Sequence, residues 1–234
     1  MGTKFSTRVW VSVVGIASIF WGSKGYADTV ISVADFGLKP DTRENAVAYV
    51  QKAIEACRGK EPVTLVFPEG RYDFWPQYAH EKNYYETNTY DVFPKRLAML
   101  FEGLHNITVD GNGSQFIMHD RIQPITVENC DGVTLKNFSI DWDIPLTAQA
   151  RVTKVGSDFF EIEINVLESP YIIEDGKLVF VGEGWKSALG SMIEFESDTH
   201  FVVPGTGDLV LGRNWRDYTA VSPRYGIVRL SRKG

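Results

Sequence analysis

Asp141, Trp142 and Asp143 stand consecutively in the tract FSIDWDIP, and about one repeat earlier the chain carries His119, Asp120 and Arg121. Two carboxylates flanking an indole suit a neutral sugar, whose C–H face stacks on the ring while its hydroxyls take hydrogen bonds. Asp73, in RYDF, is a further carboxylate of the same kind. The candidate ligand-binding residues are therefore Asp141, Trp142, Asp143, Arg121 and Asp73. Each also has a plainer reading. Asp141 can be a corner acid bonded to backbone with Trp142 packed beneath it, and Asp110, which closes NITVDG in the same local context, supports that reading. His80, His105, His119 and His200 are scattered, with no HExxH and no His-x-His pair, so structural or surface roles are expected and no metal site is predicted.

The elements that must hold these residues are short, β-rich segments closed by Gly, Asn or Asp. Between Phe101 and Trp142 the pattern repeats at a shift of roughly 22 to 27 residues, the range of a solenoid. Leu100 and Phe101 fall near Val127 and Glu128, Ile107–Val109 on Val133–Leu135, and Phe116-Ile117 on Phe138-Ser139. Asn106, Asn112, Asn129 and Asn137 mark the corners, where a left-handed residue is needed. Turns stacked about 4.8 Å apart bury Ile, Val, Leu and Phe that one turn alone would expose. The expected fold is all-β: a right-handed parallel β-helix with an N-terminal capping helix and an inserted small antiparallel β-barrel. An ordinary β-sandwich is the alternative.

The first 27 residues read as a secretory leader, with Lys4 and Arg8 before the apolar run Val9–Trp21 and small residues at Gly25-Tyr26-Ala27. A retained N-terminal anchor is the alternative. Without that leader Lys4, Arg8 and Lys24 are lost and no acid is, leaving 21 basic against 30 acidic residues, a formal charge of −9. Such a chain argues against nucleic acid and anionic membranes as partners and is compatible with a neutral substrate. The expected location is secreted or periplasmic. Cys57 and Cys130 are expected too far apart to bridge.

In chain order, a strand at Val30–Val33 precedes a capping-box pattern, Asp41 with Glu44, and an amphipathic helix predicted over Thr42–Arg58. Val63–Phe67 is an apolar strand. Arg71–Arg96 departs from the period and gathers Tyr72, Phe74, Trp75, Tyr78, Tyr84, Tyr85, Tyr90 and Phe93, which either present rings to a sugar or plug the loop onto the coil. From Thr147 strict alternation (Phe160, Ile162, Ile164, Val166) predicts an antiparallel module over 147–230, with further strands at Leu178–Val181, Met192–Phe195, Leu209–Leu211 and Gly226–Leu230. Residues 28–146 are then the first part of the β-helix, and 231–234 the start of the return to it.

VADFGLKPD followed by a helix resembles the opening of the pectate lyase and polygalacturonase superfamily of β-helices. FPEGRYDFWPQYAHEKNYY, GLHNITVDGNGSQFIMHDRIQPI, NCDGVTLKNFSIDWDIPLTAQARV, DGKLVFVGEGW and SPRYGIVRL resemble, in this order, the secreted bacterial α-1,3-galactosidases of glycoside hydrolase family one hundred and ten. FSIDWDIP and GEGW are the most specific of these. The resemblance implies a β-helix carrying an inserted β-barrel, and removal of terminal α-1,3-linked galactose from glycans with inversion and no cofactor. It also implies an amino-terminal portion, because the family's catalytic acids lie in later turns, beyond residue 234. The 234 residues alone are then expected to be inactive and poorly soluble. Inverting hydrolysis needs two carboxyls roughly 6.5 to 9.5 Å apart, which one or two coil spacings supply. A non-catalytic carbohydrate-binding coil and a polysaccharide lyase are the other classes considered.

Overall fold

The computed structural model describes residues 29–84, 94–204 and 218–232. The expected leader, the aromatic residues Tyr85, Tyr90 and Phe93, and the strand expected at Leu209–Leu211 lie outside them. The chain is mostly β, with one α-helix among the described residues.

Strand β1 (Thr29–Ser32) runs into a single 3-10 turn, Val33–Phe36, closed at its start by a reciprocal pairing of Ser32 with Asp35. Helix α1 spans Val47–Cys57, starting later than the sequence suggests. Asp41 and Glu44 do not form its cap. Asp41 and Arg43 take φ of 60° and 58°, which breaks any helix there, and the Asp41 carboxylate instead accepts from the Arg71 backbone N–H at 2.9 Å. Asn45 takes up the helix start, its Oδ1 accepting from Val47 N–H at 3.1 Å. Val47, Val50, Ala53, Ile54 and Cys57 recur at helical spacing and are all buried, against β1 and the strands that follow.

β2 (Val63–Val66) pairs in parallel with β1 and with β6 (His105–Met118), and β6 pairs in parallel with β8 (Asp131–Trp142). Beside them β5 (Lys95–Glu102) pairs in parallel with β7 (Gln123–Glu128). Side chains alternate across each strand, so Val63 and Leu65, then Ile107 and Val109, face one continuous core. Phe67, Phe116 and Phe138 stack in a column with successive centroids 4.7 Å apart. All four corner asparagines have positive φ, from 48° to 59°.

Two registers differ from the expected ones. Leu100 pairs with Thr126 and Phe101 with Val127, one residue from the expected alignment. His105 pairs with Asp131, but beyond the corner Ser114 pairs with Phe138 and Phe116 with Ile140. The corner of β6 holds Gly111, Asn112 and Gly113 where β8 has Asn137 alone, and those two extra residues shift the alignment. Gly111 is required there, since a Cβ would sit 2.5 Å from Cβ of Phe138.

Arg71 also does not leave the repeat. β3 (Arg71–Phe74) lies parallel to β6, Arg71 opposite Gln115 and Phe74 opposite Met118, so the departure begins only after Phe74. Tyr72 and Phe74 consequently fill the core, while Tyr78 is exposed. β4 (His80–Lys82) returns antiparallel to β5.

From Ala150 the pairing is antiparallel. β9 (Ala150–Val155), β10 (Phe159–Ile164), β14 (Tyr218–Arg224) and β15 (Ile227–Arg232) form one sheet in the order β14-β15-β10-β9. β11 (Tyr171–Glu174), β12 (Lys177–Gly182) and β13 (Trp185–Ala188) form a second. Ile162, Ile164, Leu178, Tyr218, Ala220, Val228 and Leu230 make their common core. Met192–Phe195 is not a strand: only a single bridge from Phe195 to Val202 forms. Cys57 is buried, Cys130 partly so, and both are free thiols.

Candidate functional site

Arg71, Asp73 and Trp75 are alternate residues, so they leave the same, outer face of β3 and its extension while Tyr72 and Phe74 turn inward. The parallel ladder continues past β6 and β8, with His119 N–H donating to the Phe74 carbonyl at 2.9 Å and Asp143 N–H to the Met118 carbonyl at 3.1 Å. His119 thereby sits one strand spacing from Trp75, and the two rings stack at 3.8 Å and 10°.

Asp73 is at the centre of this outer cluster and is 1 % exposed. Its carboxylate accepts from Arg71 Nε at 3.0 Å and Nη2 at 2.5 Å, and its Oδ1 lies 2.8 Å from His119 Nε2. Arg71 Nη2 also donates to Asp143 Oδ1 at 2.7 Å, and Arg43 Nη1 stands 3.7 Å from the same oxygen. Burial by itself would raise the Asp73 carboxyl, but the hydrogen bonds from Arg71 and His119 outweigh it and hold the group below the usual carboxylate range. Asp73 is thus a fixed anion rather than a proton donor.

His119 Nδ1 faces Glu183 Oε2 at 2.7 Å, so both ring nitrogens meet carboxylates. Glu183 comes from the turn between β12 and β13, and its neighbours dock in step. Gly184 packs on Asp120, where a Cβ would lie 2.4 Å from Oδ2, and its φ of +75° also requires glycine. The ring of Trp185 lies under the Arg121 guanidinium, 5.9 Å from its centroid. Three successive residues of the antiparallel module therefore meet His119, Asp120 and Arg121 in order.

Among the sequence candidates, Asp73 and Asp143 come together through Arg71. Asp141 does not join them: exposed at the end of β8, its carboxylate accepts from Trp142 N–H at 2.8 Å. Trp142 packs against the parallel core and donates from Nε1 to the Asp120 carbonyl at 3.2 Å. Arg121 is directed to Trp185. The sequence reading did not single out Arg71 or Glu183, and it named Trp75 only among the loop aromatics. The alternation R-x-D-x-W signalled Arg71 and Trp75, and Glu183 lay in the GEGW tract noted only as a family marker.

Asp73, His119 and Asp143 each offer a ligand atom within 4.8 Å of the others, a set able to hold a cation. Arg71 already donates to both carboxylates, so the positive charge a metal would bring is supplied by the chain itself. Outside the cluster, an open depression of about 520 Å³ is bounded by Trp75, Tyr78, Glu81, Arg96 and Asp120 among others.

Fold and site together define a mostly-β chain: parallel strands under one helix, with an antiparallel module clipped to their outer face through an acidic turn. Residues 148–234 match the family described as GLAA-B beta-barrel domain I. Over 205 residues, 88 % of this chain, the sequence is 58 % identical to alpha-1,3-galactosidase B of Bacteroides thetaiotaomicron, covering 33 % of that protein. It is 35 % identical over 169 residues to alpha-1,3-galactosidase A of Shewanella woodyi, 71 % of this chain and 28 % of that one. With alpha-1,3-galactosidase B of Parabacteroides distasonis it shares 34 % over 223 residues, 92 % of this chain and 36 % of that one. Over most of its length the chain is similar to these alpha-1,3-galactosidases, and it spans about a third of the length of the curated relatives it matches.

Proposed function

We propose that the protein serves the removal of terminal α-1,3-linked galactose from glycans by inverting hydrolysis, and that the described residues build substrate-facing scaffold rather than the acid–base pair. The 58 % identity to an alpha-1,3-galactosidase along 88 % of the chain carries this reading. An inverting enzyme needs one carboxyl kept protonated near neutrality to donate to the leaving oxygen. Asp73, ion-paired and held below the ordinary range, is unfit for that role. Its chemistry suits orientation, and the reacting carboxyls belong to an amino acid stretch beyond residue 234.

The architecture we infer is a right-handed parallel β-helix capped by α1, with residues 147–230 as a laterally inserted barrel. The in-register ladder β2-β6-β8 supports it, as do Leu135 and Ile140, which are more than a third exposed at the outer strand and suit a further storey. Asp141, Trp142, Asp143, Arg121 and Asp73 are proposed to act at or beside the sugar, Asp73 and Asp143 through Arg71. Secretion through the leader fits a glycan substrate, and no helix among the described residues is long and apolar enough to cross a membrane.

A second reading, a glycan-binding coil without catalysis, is favoured by one observation: the carboxylates gathered at Arg71 are both engaged in ion pairs. Galactose release from an α-1,3-linked galactobiose by the intact gene product, with and without EDTA, separates the readings. Release in both conditions is expected. No release sinks the galactosidase, and loss with chelator would mean that a cation takes part in the hydrolysis.

A further inference from the structure

The loop after β3 places two aromatic residues outside the core. Trp75 has one ring face covered by His119, and Tyr78 is 63 % exposed. Together with Glu81, Arg96 and Asp120 they bound the open depression of about 520 Å³.

The backbone under these rings is fixed from the capping segment. Asn45 Nδ2 donates to the Gln77 carbonyl at 2.9 Å, its Oδ1 accepts from Trp75 N–H at 3.3 Å, and Gln51 Nε2 donates to the Tyr78 carbonyl at 2.8 Å. Tyr78 is held at φ +69°, a conformation bulky residues seldom adopt and one that surrounding contacts must impose. The backbone that carries the exposed ring is thus set before any ligand arrives, which lowers the cost of binding. On the rim, Glu81 and Arg96 are cross-strand partners of β4 and β5, and their side chains pair at 3.3 Å. Asp120 closes the opposite side, its backbone carbonyl tied to the Trp142 indole.

We propose that this depression binds one hexopyranose unit of a neutral glycan, the C–H face of the sugar lying on Tyr78 and its hydroxyls meeting Glu81, Arg96 and Asp120. Aromatic surface beside a few fixed polar groups is the chemistry of a sugar subsite. Two carboxylates against one guanidinium leave the rim net negative, so it disfavours uronates and other anionic sugars. This assignment rests on the reading that the protein's ligand is a glycan.

Isothermal titration of the intact gene product with α-1,3-galactobiose, methyl β-galactoside, cellobiose and trigalacturonate tests it, with Tyr78→Ala and Tyr78→Phe as variants. Tyr78→Ala keeps the Cβ and so the same backbone cost, and it removes a ring that is mostly exposed, so it is expected to fold with a nearly unchanged Tm. Its affinity for a neutral sugar should fall about tenfold while Tyr78→Phe keeps it. Unchanged affinity in Tyr78→Ala, no neutral saccharide binding at all, or tighter binding of trigalacturonate overturns the proposal. Galactose release measured in parallel keeps the two questions apart. Release with Tyr78-independent binding removes this subsite and leaves the galactosidase, whereas Tyr78-dependent binding without release does the reverse.

Discussion

Glu183 Oε2 stands 2.7 Å from Nδ1 of His119, whose other ring nitrogen is 2.8 Å from Asp73. One imidazole thus joins the antiparallel module to the outer face of the parallel stack. Both contacts are hydrogen bonds only when each line carries a proton, so the ring is held between two acceptors in one orientation.

Replacing Glu183 by Ala leaves the buried His119 Nδ1 without its partner. A cost of about 1–3 kcal/mol is expected, and a chain of this size loses roughly 2–4 °C of Tm per kcal/mol. Thermal denaturation reads it directly. A Tm unchanged in Glu183→Ala would mean the junction is held by other contacts.

Gly184→Ala meets two obstacles, a positive φ and the Asp120 carboxylate 2.4 Å from the new Cβ. The expected loss is on the order of 1–3 kcal/mol. Combining it with Asp120→Ala should recover the steric part and leave the backbone part. A double-mutant cycle with no coupling energy would show that the close approach at this turn does not operate in solution.

Arg71→Ala leaves Asp73 buried and Asp143 half-paired, a loss of about 3–5 kcal/mol by analogy with broken buried ion pairs. Arg71→Lys should recover only part, because an ammonium cannot make the two-nitrogen contact to Asp73. Equilibrium urea unfolding of both variants checks the order wild type, Lys, Ala.

The Asp73 carboxyl titrates lower in the folded chain than in the unfolded one, with burial opposing and Arg71 and His119 outweighing it. Its stabilisation is therefore complete above the unfolded value of about 3.9 and is lost as pH falls through the folded one. Asp73→Asn should flatten the acid limb of the stability curve below about pH 4. An acid limb identical to wild type would contradict this sign.

Lys82 Nζ spans Glu102 at 2.6 Å and Glu128 at 2.8 Å, two carboxylates brought into register by β5 and β7. Hydrogen bonds from Lys82 and then Tyr84 lower Glu128. In Lys82→Ala the acids face each other unneutralised, so the gap in Tm from wild type should be present above about pH 4.3 and close below it. A gap that widens on acidification would reverse the assignment.

Cys57 has its thiol pushed up to about 11, chiefly by burial. It should resist a thiol reagent in the native chain and react after unfolding, with Cys130 also recovered as a free thiol. Reaction of Cys57 at the rate of an exposed cysteine would place it outside the core.

Local patterns in the sequence determined much of this. The corner asparagines, the apolar periodicity of α1, the approximate repeat and the alternation from Phe160 onward each depend on neighbours within a few residues, and each is found in the structure. Asp73 and Asp143 were also singled out by the sequence as candidate acids, and both meet at Arg71. What only tertiary structure decided is which of them meet. Register across β6 and β8 turns on two extra residues at one corner, and a shift of that size keeps each side chain on its face but changes every cross-strand partner beyond it. Glu183 and His119 are 64 residues apart, and their contact depends on how the antiparallel module is seated. No local propensity encodes that seating; it follows from the close approach allowed by Gly184 and from the need of buried polar groups for partners.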